Sequence, residues 1–300
     1  MVIRYKTMFL STLLALSIGS LGARNPEGSC RSPLESLSTA EKIVVTGSMG
    51  TVNAIMGTPF QHMKNALQNG YPRPELKHLW RGTGLNIIRS TPSTLPEVLI
   101  MGNADRIIKQ FQLPIACDTQ KAGLAFAAST PGTVLNTLAE QLVMRKKNGN
   151  TCYSIIKDTL KNHSPMVFFR GFTPKLLRDG TGSCAYWYAA PKLKELYKER
   201  GLGEPLATIG AGLSVAIPSS ILTHPFDTTS TAMANDLGKK TYRHTLQTIR
   251  DYTRLHGFAG LFRGVTPRTV SAAIRIPTLI GIQDFLTSTM NNQKNKAKSL

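Results

Sequence analysis

The chain has 300 residues, enough for one large domain or two small ones. It carries a formal net charge of +19 with a pI near 10.0, so its partners are anionic: nucleic acid, acidic lipid headgroups or anionic solutes. Aromatic residues are 7%, thin for base-stacking platforms, and a mean hydropathy of -0.10 separates neither a soluble protein from a transporter with a wet cavity.

Arg4 and Lys6 precede an apolar run from Met8 to Leu21, followed by Gly22-Ala23. This pattern fits a secretory or targeting segment, and the run is shorter than the ~20 residues a spanning helix needs. Residues 1–37 are therefore read as a leader. Lys42–Thr58 is apolar, rich in small residues and ends at Pro59; a short linker over Asn65–Lys77 follows, then Trp80-Arg81-Gly82. Thr83–Ile108 is long, mixed and interrupted by proline. Ala122–Val143 resembles the first apolar segment, Thr151–His163 is a short surface helix, and Phe169-Arg170-Gly171 precedes Phe172–Tyr197. Leu206–Thr223, ending at Pro225, is followed by the surface stretch Thr241–Leu255, by Phe262-Arg263-Gly264, and by Val265–Met290. A basic tail occupies 291–300.

The aromatic-basic-glycine triplets recur about 90 residues apart, a period that marks an internal repeat. The last two copies align without a gap well beyond the triplet. Ile156-Lys157-Asp158 matches Ile249-Arg250-Asp251, His163 matches His256, and Phe172-Thr173-Pro174-Lys175 matches Val265-Thr266-Pro267-Arg268. Small residues four apart, such as Gly50 with Ala54 and Gly212 with Ala216 and Ser220, let helices approach closely in lipid. The expected fold is all-α: six transmembrane helices in three pseudo-symmetric repeats, 38–115, 116–203 and 204–290, with a short amphipathic helix between the members of a pair.

Motifs of enzymes are missing. There is no Walker loop, G-x-S-x-G, G-x-G-x-x-G or H-E-x-x-H, and Cys30, Cys117, Cys152 and Cys184 form no C-x-x-C. No catalytic chemistry, metal or cofactor is expected, and the cysteines read as unpaired thiols.

The third repeat carries Pro225-Phe226-Asp227, then Ser230, His256-Gly257 and Phe262-Arg263-Gly264. The first carries Pro59-Phe60-Gln61 and Lys64, then Trp80-Arg81-Gly82; the second has Leu138, Glu140 and Val143 at the matching positions. Over roughly residues 38–290 this pattern resembles the mitochondrial carrier signature. The resemblance implies that Pro59 and Pro225 kink their helices, and that acids and bases of neighbouring repeats close one end of a cavity. By position Asp227 should face Lys64, Glu140 should face Ser230, and Gln61 should face Val143. One full ion pair of three implies a weak, leaky gate. At the opposite end the acid-x-x-base motif survives as Asp284 without its base and Lys194 without its acid, which implies a second degraded gate.

The resemblance also places cavity contacts seven residues past each glycine, at Arg89, Arg178 and Ser271, with Asp179 and Arg275 nearby. Arginine forks suit carboxylates and phosphates. Asn53, Asn136 and Glu97 are further lining candidates, and one of Tyr186, Trp187 and Tyr188 could stack on a base. The triplets Trp80-Arg81-Gly82, Phe169-Arg170-Gly171 and Phe262-Arg263-Gly264 resemble cardiolipin headgroup clamps; the plainer reading is a helix cap with a snorkelling arginine. The resemblance thus implies a monomer in the mitochondrial inner membrane that exchanges a small anionic metabolite by alternating access and binds no nucleic acid. A nucleotide such as ATP or ADP is favoured by the positive field, with an amino acid, another zwitterion or a carboxylate as the alternative. A secreted basic protein that binds polyanions is a second alternative. A third is a microbial effector, delivered by an intracellular microbe to a host mitochondrion.

Overall fold

In the computed structural model, the described residues are 33–298 except 70–71, 73–74, 81, 112–116, 146–151, 163, 237–240 and 243. They form helices and no strand. The apolar leader run lies outside them.

The chain enters through a 3-10 turn, Pro33–Ser36, into α1 (Thr39–Asn69). A capping box starts α1: the Ser38 N–H donates to Glu41 Oε2 at 2.7 Å, and the Glu41 N–H to Ser38 Oγ at 3.4 Å. Then come a 3-10 turn at Leu76–His78, α2 (Thr83–Met101) and α3 (Ala104–Phe111). Next come α4 (Cys117–Arg145), α5 (Cys152–Asn162), a 3-10 turn at Pro165–Phe169, α6 (Phe172–Cys184) and α7 (Ala190–Glu199), with a π segment, Ala185–Ala189, between the last two. Then follow α8 (Glu204–Asn235), α9 (Thr245–Gly260) and α10 (Val265–Lys298).

Six long helical units pack in a closed ring, in the order α1, α2, α4, α6–α7, α8, α10 and back to α1. Glycines set the close approaches at three seams. A Cβ on Gly50 would stand 2.9 Å from Thr91 Cα, one on Gly212 would stand 2.6–2.9 Å from Pro277, and one on Gly132 would strike the Ser93 carbonyl. Before α2, α6 and α10 stand Gly82, Gly171 and Gly264 with φ of 88, 78 and 82°, a left-handed conformation that only glycine adopts at little cost.

Several boundaries differ from the expectation. α1 and α8 run ten residues past Pro59 and Pro225, so both prolines lie inside helices and the first linker shrinks. Proline removes one N–H, and packing on both sides of it holds the helix together. The segment expected over Thr83–Ile108 breaks at Gly102, whose carbonyl accepts from Lys42 Nζ at 2.9 Å. The one expected over Phe172–Tyr197 is continuous only through its π segment. The basic tail is helical to Lys298, and Lys294 bonds Glu41 at 2.6 Å and the Ser36 carbonyl at 3.0 Å. Leu34 and Leu37, placed in the leader by sequence, are buried with Val45, Met49 and Val98, against Tyr186, Trp187 and Leu279.

Polarity runs opposite to that of a soluble bundle. Thr46, Thr58, Ser93, Ser129, Thr133 and Thr137 are buried, whereas Ile43, Val44, Ile209, Ile217, Ile221 and Leu222 stand on the outer face. By length and composition one helix among the described residues, α8, is long and apolar enough to cross a membrane. The others carry more charged and polar side chains, many facing the ring's interior.

Candidate functional site: a charged central cavity

The ring encloses a cavity of about 360 Å³. Six basic side chains line it (Lys64, Arg89, Lys175, Arg178, Arg268 and Arg275) together with four acidic ones, Glu97, Glu140, Asp179 and Asp227. Charged groups so deep in a helix bundle are costly and mark function.

One end is built around Asp227, on α8 two residues past Pro225 and 1% exposed. Lys64 from α1 bonds its Oδ2 at 2.9 Å, Gln68 donates to the same oxygen at 3.2 Å, Arg178 from α6 bonds its Oδ1, and Arg268 from α10 stands at 3.8 Å. Side chains from α1, α6 and α10 therefore converge on a single carboxylate of α8. Arg178 also bonds Asp179 at 2.7 Å, and Asp179 accepts from the Thr133 hydroxyl at 3.1 Å.

Lys64 faces Asp227 as the resemblance implies, but Glu140 and Ser230 have other partners. Glu140 is taken by Lys175 of α6, not by Ser230, whose hydroxyl donates to the Gly171 carbonyl at 3.0 Å. Lys175, 2% exposed, lies four residues past Gly171 on the adjoining helix and reaches the acid first. Gln61 accepts from Arg89 at 3.5 Å, and the Val143 side chain lies outside the described residues. The expected near-empty end is a connected ionic cluster, so the leak inferred from missing pairs loses its basis.

The opposite end corrects the same inference. Lys194 on α7 and Asp284 on α10, each read as half of a broken motif, bond each other, and Glu204 holds Lys194 from a third side at 3.1 Å.

Ser271 is buried and lines the cavity, as do Arg89, Asp179 and Arg275. Arg275 lies against Gly57, where a Cβ would stand 3.2 Å from its Nη1. The buried Nε atoms of Arg89 and Arg275 and the Asn53 Oδ1 have no hydrogen-bond partner. Tyr186 and Trp187, turned inward by the π segment, line the cavity; Tyr188 does not and pairs with Lys192, whose ammonium lies 4.8 Å from its ring centre.

Of the triplets, Trp80 and Phe169 are exposed, Phe262 is half-buried and stacks on His224, and Arg263 is exposed. Arg81 lies outside the described residues. Arg170 is engaged internally, by the Tyr242 carbonyl at 2.9 Å and Asp236 at 3.4 Å. A shallow pocket beside the start of α6 is lined by Phe169, Arg170, Gly171 and Met233.

Sequence reasoning missed Lys175, Arg268 and Gln68 as members of the acidic-end cluster. The signal for two of them was present: Lys175 and Arg268 each stand four residues past the glycine of an aligned block, and Asn86, at the same place in the first repeat, donates to Thr58 at 3.0 Å.

The sequence profile of the mitochondrial carrier protein family matches residues 122–201 and 203–294, more than half of the chain. This chain belongs to the mitochondrial carrier family. Among curated carriers it is 26% identical to the mitochondrial glutathione transporter SLC25A40 of Danio rerio over 70% of the chain, and 26% identical to the adenine nucleotide transporter BT1 of Zea mays over 79%. It is 28% identical to the mitochondrial glycine transporter B of Danio rerio over 71% of the chain. The matches span 64%, 55% and 76% of those relatives' lengths. These relatives are transporters, and their substrates differ from one to the next.

Proposed function

We propose that the protein is a six-span membrane carrier that moves a small anionic solute by alternating access, as a monomer, with the mitochondrial inner membrane as its site. The observation that carries this reading is the inverted polarity of the ring. Hydroxyl and charged side chains face the central cavity, and branched apolar side chains face outward where a bilayer would lie.

In this reading Arg89, Arg178, Arg275, Ser271 and Asp179 meet the solute, and the ionic clusters at the two ends act as gates that open in turn. The cluster of Lys64, Asp227, Glu140, Lys175 and Arg268 closes one end; Lys194, Asp284 and Glu204 close the other. A solute anion that recruits Arg178 takes it from Asp227, which links occupancy to opening. The left-handed glycines before α2, α6 and α10 leave helix N-termini open to anionic lipid headgroups, cardiolipin among them.

A nucleotide suits the surplus of arginines. A second reading, a carboxylate that also bears an amine, is favoured by the acid Glu97 within the cavity and by the glutathione and glycine named for two relatives.

Uptake of labelled ATP, ADP, amino acids and dicarboxylates into proteoliposomes, preloaded or empty, tests the proposal. Saturable uptake of one class is expected, with exchange faster than uptake into empty vesicles. Absence of uptake by inserted, folded protein refutes it.

A further inference from the structure

A ring of helices leaves a lumen, and at the Lys194–Asp284 end a segment that belongs to no ring helix fills it. The 3-10 turn Pro33–Ser36 and the bend after it carry Leu34 and Leu37 into an apolar cluster with Met49 of α1 and Val98 of α2. Both leucines are buried. Tyr186 and Trp187 of the π segment pack against this cluster, as do Leu279, Ile282 and Leu286 of α10.

The cluster crosses the lumen and is no single seam between neighbours. In the ring order α1 stands opposite α6–α7, so apolar packing that joins Met49 to Tyr186 and Trp187 spans the middle. Met49, Tyr186, Trp187 and Leu279 also line the cavity, so the cluster is its wall on that side. Its level is set by α10, where Ile282 and Leu286 flank Asp284. Leu34 reaches the break after α2: a Cβ on Gly102 would stand 3.3 Å from the Leu34 Cβ. The Lys194–Asp284 pair beside it is partly exposed, and water screens such pairs, whereas screening does not weaken the burial of two leucines. The segment is also separable from α1. Ser38 and Glu41 cap that helix between themselves, so the turn can swing out about Leu37 and Ser38 without unwinding it. Lys294 of α10 holds the outer edge, bonding the Ser36 carbonyl at 3.0 Å and Glu41 at 2.6 Å.

We infer that residues 33–38 are a plug, a built-in inhibitory contact that shuts the cavity at the Lys194–Asp284 end and must withdraw before solute passes there. The passage of solute rests on the transport reading above; the closure does not. The leucines join helices from opposite sides of the ring, so those helices cannot part at this end while both side chains stay seated between them.

The first test reads access to the cavity. The four native cysteines are replaced by serine, and Thr94→Cys, on the cavity wall, is treated in proteoliposomes with a small anionic methanethiosulfonate. Leu34→Ser combined with Leu37→Ser should speed its modification at least ~10-fold, whereas Ala211→Cys, buried in α8, should stay protected. An unchanged rate at Thr94→Cys would overturn the inference, as would an equal gain at Ala211→Cys, the mark of a loosened ring. The second test keeps both leucines. Ser36→Cys and Lys294→Cys are tied by a short bis-methanethiosulfonate, which should cut saturable uptake at least ~10-fold until a reductant frees them. Uptake that survives the tie would overturn the plug and leave transport standing. No uptake before tying would overturn the transport reading, and the access measurement would still decide the plug.

Discussion

Asp227→Asn is the most informative single change, because it keeps shape and removes the charge on which basic side chains of α1, α6 and α10 converge. Lys64 at 2.9 Å, Arg178 in direct contact and Arg268 at 3.8 Å would then face one another with no acid between them. Breaking a buried pair by removing one partner costs about 3–5 kcal/mol, most of it the uncompensated charge left behind. At roughly 2 °C per kcal/mol for a chain of this size, the midpoint of thermal unfolding in detergent should fall by about 6–10 °C. The comparison is Asp158→Asn on exposed α5, where a change of within about 0.5 kcal/mol is expected. Losing the cluster should also raise passive entry of solute into empty vesicles. A midpoint indistinguishable from that of Asp158→Asn would show that Asp227 does not hold the ring closed.

At the opposite end, Lys194→Met should weaken closure there and leave the Asp227 cluster untouched, so vesicle leak should rise with a smaller loss of thermal stability than in Asp227→Asn. Arg178→Ala should abolish saturable uptake; because Arg178 also binds Asp227 and Asp179, it should lower the unfolding midpoint as well, which an unaltered midpoint would contradict. Gly132→Ala forces a methyl against the Ser93 carbonyl across the α2–α4 seam and should cost about 1–3 kcal/mol, read by thermal unfolding, whereas Gly123→Ala, with open space around it, should cost little. Lys294→Ala removes a solvent-screened pair with Glu41 and should leave the unfolding midpoint nearly unchanged.

The triplet period and the small-residue spacing made the helix ring readable, because both are one-dimensional consequences of stacking similar units. The Lys64–Asp227 pair was readable for the same reason: each member stands at a fixed offset from a proline. What spacing does not contain is reach. Arginine and lysine side chains cross from one helix to the next, so Arg178 serves Asp227 as well as its neighbour Asp179, and Lys175 intercepts Glu140 before Ser230 can. Lys194 and Asp284 looked like fragments of two motifs because each was weighed within its own repeat. Lys194 of α7 reaches Asp284 of α10 across the ring, so pairing the two fragments restores one contact. Helix ends were misplaced at Pro59 and Pro225, where local propensity argues for a stop and packing along both sides carries the helix onward.

The burial of Leu34 and Leu37 bears on maturation. Leu34 is 0% and Leu37 4% exposed, wedged against α1 and the aromatic pair beside Glu97. A peptidase that cut after residue 37, at the edge of the leader read from sequence, would strip both side chains from the ring; each is worth about 1.5–3 kcal/mol of burial. It would also take away the Ser36 carbonyl that Lys294 holds. A cut before Pro33 would leave that wedge seated. The folded ring thereby limits how far into the chain an N-terminal truncation can reach before it takes away buried contacts.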